Sequence, residues 1–332
     1  MPSAKSEAGS APAATLKNAD RVLLASLRRY ASLRGLHLET LSHDWIAVLK
    51  KGERRHLAFG YDLGVNSSTA AKVANDKSAT FQVLERAGIP AVEHRVFLHP
   101  RFLRFLPVEG NWGGLIAALA DFRGDAVIKD NEGTGGMEVH RVRSQMELEQ
   151  RAHELFQIAR GVALSPYLPI EEETRLVLVD GECPLAYRKQ RVSVEGDGRR
   201  TLAQLMEGGR HAGNLPPTLT LDNADWVASA VPGKGQRVPL QWRHNLGLGA
   251  RPEVLDPASP GIALALQLAR QALAALTLRF ASIDVVRVDG RLMVLEANSG
   301  VMLESATLAS SEGDALADRI YHRALDLALA GW

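Results

Sequence analysis

The stretch Ala126-Val127-Ile128-Lys129-Asp130-Asn131-Glu132-Gly133-Thr134-Gly135-Gly136 decides how the rest of the chain is read. Its first five residues are a short apolar run interrupted by one lysine, which predicts a buried strand over Ala126–Asp130. A buried ammonium is costly unless something pairs with it. Glycines at three of the four positions 133–136 follow the strand, and a loop of that kind lets backbone N–H groups approach anionic oxygens closely. A lysine at its mouth is a phosphate-binding arrangement. The alternative is a strand-edge lysine snorkelling beside an ordinary glycine turn. The run is neither a Walker A loop, having no Gly-Lys-Ser or Gly-Lys-Thr, nor a dinucleotide fingerprint in its spacing.

A second chemical signal lies far downstream. Asp284 sits in Ser282-Ile283-Asp284-Val285-Val286, and Glu296 and Asn298 in Val294-Leu295-Glu296-Ala297-Asn298. The Asp289-Gly290 pair between the two runs reads as a hairpin turn. Residues two apart on a strand share a face, so Glu296 and Asn298 point together and Asp284 can lie opposite them. Two carboxylates and an amide oxygen form a hard-oxygen set of the kind Mg²⁺ prefers. The alternative is a solvated polar face. The apolar neighbours favour a buried hairpin, where unpaired carboxylates are expensive, and so favour the metal reading.

Between and around these signals the patterning alternates helices and strands. Apolar spacing predicts a helix from Leu16 to Leu33, closed by Gly35, then β runs at Leu36–Leu41, Trp45–Leu49 and His56–Tyr61. Helices follow at Val65–Asn75 and Asp76–Ala87, the second capped by Asp76 and ended by Gly88-Ile89-Pro90. A strand is expected at Ala91–Leu98, a loop at Pro100–Gly114, a helix at Leu115–Phe122 and a strand at Met137–Val142. Ser144–Arg160 reads as a helix with Ser144 and Glu147 in capping-box positions, and Val162–Pro166 as a buried strand. Further β runs are Thr174–Val179 and Cys183–Val192. Thr201 caps a short helix ending at Gly208, and Ala212–Pro239 is mixed. Long helices are expected from Ser259-Pro260 to about Leu278 and from about Glu312 to Leu329.

Composition narrows the class. The chain has 332 residues, 46% hydrophobic, with net charge +1. That balance argues against a nucleic-acid partner. The 39 basic residues divide into 30 Arg and 9 Lys, so each lysine invites a question about its task. One cysteine, Cys183, excludes an intrachain disulfide or a cysteine metal cluster. No apolar run is long enough for a membrane span, and Met1–Ala14 lacks the apolar core of a secretory signal. A cytoplasmic protein is expected.

A strand lysine with a glycine loop, followed by an acidic hairpin, resembles the ATP-grasp carboxylate–amine ligases. The likeness runs from about Asn66 to Ser305 and is closest to the branch of cyanophycin synthetase, the glutathione-synthetase half of bifunctional glutathione enzymes, and RimK-type glutamate ligases. Asn75-Asp76-Lys77 with Leu84-Glu85-Arg86-Ala87-Gly88-Ile89-Pro90 resembles the family's opening, and Val127-Ile128-Lys129 with the glycine loop its second lysine and lid. Ser165-Pro166-Tyr167-Leu168 and Glu173-Thr174-Arg175 resemble the hinge and the E-x-R that follows. Val194-Glu195-Gly196-Asp197-Gly198, with Thr201-Leu202 and Leu205, and His244-Asn245-Leu246-Gly247-Leu248-Gly249 resemble two later motifs.

The resemblance implies an α/β (α+β) ATP-grasp fold, with nucleotide held between two α+β subdomains after a short N-terminal α/β domain. The expected segments are a disordered lead-in over 1–15, the N-terminal domain over 16–75, and subdomains over 76–165 and 166–332. It implies that Lys77 and Lys129 contact ATP phosphates and that Gly133, Thr134, Gly135 and Gly136 close over them. Pro166, Tyr167 and Leu168 would lie against adenine and Glu173 would hold the ribose. Asp284, Glu296 and Asn298 would bind two Mg²⁺ ions, with Mn²⁺ as an allowed substitute. Lys129 and Asn298 would also serve catalysis. Arg188 is the candidate for the transferred phosphoryl oxygens, with Arg191 and Lys189 as rivals; strand alternation puts Arg188 on the face away from the other two. Arg175, Arg191, Asn245 and the loop at Gly300 would shape the substrate region.

The implied activity joins a small-molecule carboxylate to an amine, an amino acid or peptide, through an acyl phosphate. A non-catalytic ATP-binding regulator and a carboxylate kinase with a non-amine acceptor are the alternatives. Two departures touch the acceptor side. Gly247-Leu248-Gly249-Ala250 lacks the family's hydroxyls, and Ser299-Gly300-Val301-Met302 lacks its Pro-Gly turn. The ten histidines show no metal-ligand spacing, and His244 alone, beside Asn245, is a candidate for substrate contact. Pro100–Trp112, with Phe102, Leu103, Phe105 and Leu106, reads as core packing beneath a loop, with a homodimer patch as the alternative.

Overall fold

A computed structural model of the chain describes residues 21–103, 111–136, 138–223 and 225–332. The lead-in expected over 1–15, the start of the helix from Leu16, Met137 at the head of a strand, and Phe105 and Leu106 lie outside them.

The chain begins with α1 (Val22–Arg34) and a meander of β1 (His37–Leu41), β2 (Ile46–Lys51) and β3 (Arg54–Phe59). Gly35 ends α1 in the left-handed conformation, at φ 62°. Next come α2 (Ser68–Asn75), capped by Ser67, and α3 (Lys77–Arg86), capped by Asp76. The middle of the chain holds β4 (Arg95–Leu98), α4 (Asn111–Asp121), β5 (Ala126–Asp130), β6 (Val139–Val142), α5 (Gln145–Phe156) and β7 (Gly161–Pro166). The last part comprises β8 (Glu172–Val179), β9 (Glu182–Gln190), β10 (Ser193–Glu195), α6 (Leu202–His211), β11 (Arg237–Pro239), β12 (Arg251–Leu255), α7 (Ala263–Ala275), β13 (Phe280–Val288), β14 (Arg291–Asn298), α8 (Glu304–Ala309) and α9 (Asp314–Ala328).

Two sheets carry the architecture. The central one has order β4-β7-β5-β6 and the larger one β12-β9-β8-β13-β14. Every ladder in both is antiparallel, which makes the fold α+β rather than a parallel α/β layer. One face of the central sheet buries Ile128, Val162 and Leu164 against α4 and α5, through Leu115, Leu148 and Leu155. The large sheet is covered on both sides. Leu176, Ala186, Ile283 and Val285 pack on α7, through Ala269, Ala272 and Leu273. Val177, Val179, Leu185, Tyr187 and Phe280 pack with residues of α1, β2, β3 and α9, including Leu27, Leu49, Ile320 and Tyr321. The N-terminal meander is therefore built onto the back of the large sheet and shares its core. The two sheets meet where Ala91 bridges Val294 of β14, with Val92 N donating to the Val294 carbonyl at 2.8 Å.

Several boundaries differ from the periodicity. α4 starts at Asn111, inside the stretch expected as loop, and α6 runs past Gly208 to His211. A 3₁₀ turn at Pro260–Ile262 precedes α7, because proline fits a first turn but not an interior. β12, with Pro252 in its middle, pairs only with β9 at the sheet edge. That is where a strand tolerates proline.

Candidate active site

The acidic hairpin depends on a bulge. The turn residues Asp289 and Gly290 both have positive φ, 46° and 72°, as the tightest hairpin turns require. Counted from that turn, Val285 pairs with Val294, and a regular ladder would place Glu296 opposite Ile283, on the α7 face. The register instead shifts between Asp284 and Val285, so Asp284 pairs with Glu296. A bulge re-aims the side chains beyond it, and here it turns Glu296 and Asn298 onto the face of Asp284. On the neighbouring strand Arg175 pairs with Asp284.

The result is a row of alternating charge across four strands. Arg175 clasps Asp284 in a bidentate pair, Nε to Oδ1 at 2.7 Å and Nη2 to Oδ2 at 2.6 Å. Lys189 of β9 donates to Asp284 Oδ2 at 2.8 Å and also to Glu173. Arg175 Nη2 lies 3.7 Å from Glu296, and Asn298 Nδ2 donates to Glu296 Oε1 at 3.3 Å. Asp284 has no exposed surface, and Glu173 and Lys189 are each 6% exposed. Burial raises carboxyl pKa values, yet the two cations hold Asp284 well below the usual carboxylate range. Burial pushes Glu173 up to about 6, with Lys189 pulling the other way.

The structure settles which face of β9 looks inward. Lys189 joins the row, whereas Arg188 emerges on the opposite face and pairs with Glu172 at 2.9 Å and Glu253 at 3.0 Å. Arg188 is therefore displaced from the role on transferred phosphoryl oxygens, for a reason of strand parity. Arg175 spends Nε and Nη2 on Asp284 and keeps its side chain 19% exposed. Arg191 is half-buried beyond the end of β9 and makes no ion pair among the described residues; burial lowers its pKa.

Two lysines reach the site from elsewhere, Lys129 from the central sheet and Lys77 from α3, a helix whose Leu84 packs with α7 and the large sheet. Lys129 on β5 and Lys77 at the start of α3 are each 8% exposed. Lys77 Nζ donates to the Gly133 carbonyl at 2.6 Å, and its backbone N–H to the Asn131 carbonyl at 3.1 Å. Asn131, which the motif reading passed over, fixes this geometry: its Oδ1 accepts from Ser78 N at 3.2 Å. Burial brings the Lys129 pKa down to about 8, with Glu296 opposing and Lys77 adding to the fall. Burial also lowers Lys77, again opposed chiefly by Glu296. Both lysines thus sense the acid at the edge of the large sheet.

The glycine loop hangs between the lobes. Gly135 and Gly136 have φ of 72° and 66°, a conformation that side chains rarely adopt. Thr134 is exposed. Asn245 donates to the carbonyls of Gly135 and Gly136, both at 3.2 Å, so it touches the loop. At the hinge, Tyr167 N donates to the Asp125 carbonyl at 3.0 Å. Arg141, held by Asp125 at 2.6–2.8 Å, covers the Tyr167 ring. Pro166 ends β7, and Leu168 packs with Val92, Val286 and Val288. Gly300 lies against Tyr61 of the N-terminal part, where an added Cβ would stand 3.6 Å from the Tyr61 Cβ. His244 is buried on backbone carbonyls, so it is not presented to a ligand.

Two solved structures share this fold. One is a bifunctional glutathione synthetase from Pasteurella multocida, with 17% identity over 90% of this chain and 44% of that one, at a TM-score of 0.51. The other is a D-alanine–D-alanine ligase from Bacillus anthracis, with 15% identity over 79% of this chain and 71% of that one, also at 0.51. The chain has the ATP-grasp fold. It spans less than half of the bifunctional protein's length. No protein-family model and no curated protein matches the sequence. Lys129 of the central sheet lies within electrostatic reach of Glu296 and Glu173 of the large sheet. Among the described residues no helix is long and apolar enough to cross a membrane.

The donor set has the chemistry for a hard cation, with a reservation the geometry makes concrete. Glu296 keeps its side chain 27% exposed, and Asn298, donating through Nδ2, has its amide oxygen left over. Asp284 has both oxygens engaged by Arg175 and Lys189, and contributes only if one of them yields. No group of three or more His, Cys, Asp or Glu residues is placed to hold a metal among the described residues. A site here rests on the amide as well as the acids.

Proposed function

We propose that the protein is an ATP-dependent carboxylate–amine ligase. The observation that carries this reading is the convergence of two buried lysines, Lys77 and Lys129, and a glycine loop with the Lys189–Glu173–Asp284–Glu296 row of the large sheet, within the ATP-grasp fold.

A carboxylate does not condense with an amine at neutral pH, because hydroxide is a poor leaving group. Attack of a carboxylate oxygen on the γ-phosphorus of ATP breaks the bond to the bridging oxygen, releases ADP and leaves an acyl phosphate. Phosphoryl transfer of this kind is governed by positioning and charge neutralisation. Lys77 and Lys129 supply fixed positive charge from one side and Lys189 from the other. Glu173 accepts from the ribose hydroxyls, and Pro166–Leu168 form the wall for adenine. Mg²⁺, held by Glu296, Asn298 and Asp284, supplies further neutralisation of phosphate charge when bound. The amine then attacks the acyl carbon, phosphate departs with the bonding pair, and the nitrogen loses a proton. Asn245 and the glycine loop keep water from the acyl phosphate, which would otherwise hydrolyse. The substrate classes are a small-molecule carboxylate and an amino acid or peptide amine, with Arg191 and the Gly300 loop on the substrate side.

The test is a matrix of carboxylic acids and amines with Mg-ATP, read as ADP release and product mass. Product mass equal to acid plus amine minus water is expected for at least one pair; ADP release no higher than the protein-free background throughout would overturn the reading. One observation favours a second reading, nucleotide binding without turnover: Asp284 is already saturated by two cations. Under that reading ATP binds equally well with and without Mg²⁺.

A further inference from the structure

The residues Trp242-Arg243-His244-Asn245 run between the two lobes with their side chains alternating. His244 turns inward, its Nδ1 2.9 Å from the Lys189 carbonyl and its Nε2 3.4 Å from that of Ile170. Its two neighbours turn outward to one short segment of the other lobe. Arg243 Nη1 donates to the Val139 carbonyl at 3.0 Å while Nη2 pairs with Asp222 at 2.7 Å. Asn245 Nδ2 reaches the carbonyls of Gly135 and Gly136, and its Oδ1 accepts from Gly247 N at 2.8 Å. Residues one apart in extended chain face opposite ways, and Asn245 is extended, with φ −104° and ψ 119°.

We propose that Arg243 and Asn245 are positioning residues that strap the glycine-rich loop shut over the nucleotide, with His244 tying the strap to the strand that carries Lys189. The inference rests on the ligase reading for its chemical consequence but not for its structural one.

Two further observations support it. A Cβ at Gly136 would lie 2.2 Å from Asn245 Nδ2, whereas one at Gly135 meets nothing within 4 Å. The strap therefore explains one glycine of the loop by close approach, while the other answers to its backbone angle alone. Arg243 Nε is buried without a partner. Its other two nitrogens are held by the Val139 carbonyl and by Asp222, so the guanidinium ties the two segments together. The consequence is a link between loop closure and the backbone of Lys189, so that the charged row of the large sheet and the loop above it are set by one segment.

The experiment uses the full chain carrying Arg243→Ala, Asn245→Ala, and both together. Hydrogen exchange of the peptides covering 132–139 is followed with Mg-ATP present, beside those of β8 and β13. A rise of about tenfold in loop exchange, with β8 and β13 unchanged, is expected from the double variant. Unchanged loop exchange in a folded double variant overturns the proposal. Should Arg243→Ala fail to fold, Asn245→Ala alone tests the strap, since it removes only the bonds to the Gly135 and Gly136 carbonyls. Loop exchange should then rise several-fold with β8 and β13 unchanged, and unchanged loop exchange in that variant overturns the proposal. With an active acid–amine pair, the ADP-to-product ratio should rise from about one to several, since a loosened cover admits water; a ratio held at one in the double variant counts against the strap and leaves the ligase reading standing. Loop loosening without turnover in any pair would support the strap and count against the ligase reading.

Discussion

The two lobes meet at one site but treat charge in opposite ways. On the large sheet, Lys189, Glu173, Arg175 and Asp284 satisfy one another, so three buried charges and a partly buried arginine balance within one row. Opposite it, Lys129 of the central sheet is buried with no ion pair among the described residues, and Lys77 of α3 is bonded only to backbone carbonyls. The first arrangement is a rigid, self-sufficient platform. The second, on the proposed function, is completed when an anion arrives. A balanced row costs stability when one member is removed, whereas an unpaired buried lysine costs stability by being present.

That contrast can be broken most forcefully by activity. Lys129→Ala and Glu296→Ala should each lower ATP-dependent turnover by roughly a thousandfold or more, the scale of losing a charge-stabilising group; ADP release assayed with a productive acid–amine pair checks this, and near-normal turnover in either would undo the site assignment.

Stability comes next. Asp284→Ala leaves Arg175 and Lys189 buried without their acid, and should cost about 3–5 kcal/mol, read as a lowered denaturation midpoint. Lys129→Met should move the midpoint the other way at pH 7. The sign follows from linkage. The folded-state pKa of Lys129, about 8, lies below its ordinary 10.5, so the unfolded chain binds more protons between those values and wild-type stability rises with pH across that window. The advantage of Lys129→Met should accordingly shrink from pH 8 to pH 10.

The pH dependence of kcat/KM for ATP should be bell-shaped. Its acid limb near 6 belongs to Glu173, which loses its charge as pH falls through that value. Its alkaline limb near 8 belongs to Lys129, which loses its charge as pH rises. Glu173→Gln should remove the acid limb. The smallest effect concerns strand parity. Arg188→Ala, on the far face, should change turnover less than tenfold, while Lys189→Ala should abolish it.

How much of this was readable in advance depended on the range of the interaction. The caps at Asp76, Ser144 and Thr201, the turn at Asp289-Gly290 and the glycine loop are local, and residue type alone marks them. Whether Arg188 or Lys189 faces inward is not local: alternation separates them, but only the packing of α7 against one side of the sheet says which is which. The bulge that brings Glu296 opposite Asp284 has no residue signature, since Leu295 is an ordinary strand residue. Counting from the turn alone would have sent the acid to the wrong face. β12 was hidden by Pro252, acceptable only because the strand lies at an edge. Asn131, Arg243 and Asn245 act on partners distant in sequence, and their residue types are common in loops.

The central claim is that the lysine side of the site is completed by an anion. Calorimetric titration of Mg-ATP at pH 8, in two buffers of different ionisation enthalpy, tests it most directly. A free-protein Lys129 near half-protonation should take up a proton as phosphate binds, giving a net uptake of up to about half a proton, absent in Lys129→Met. Binding of Mg-ATP with the same proton balance in both proteins, or no binding at all, would contradict the account.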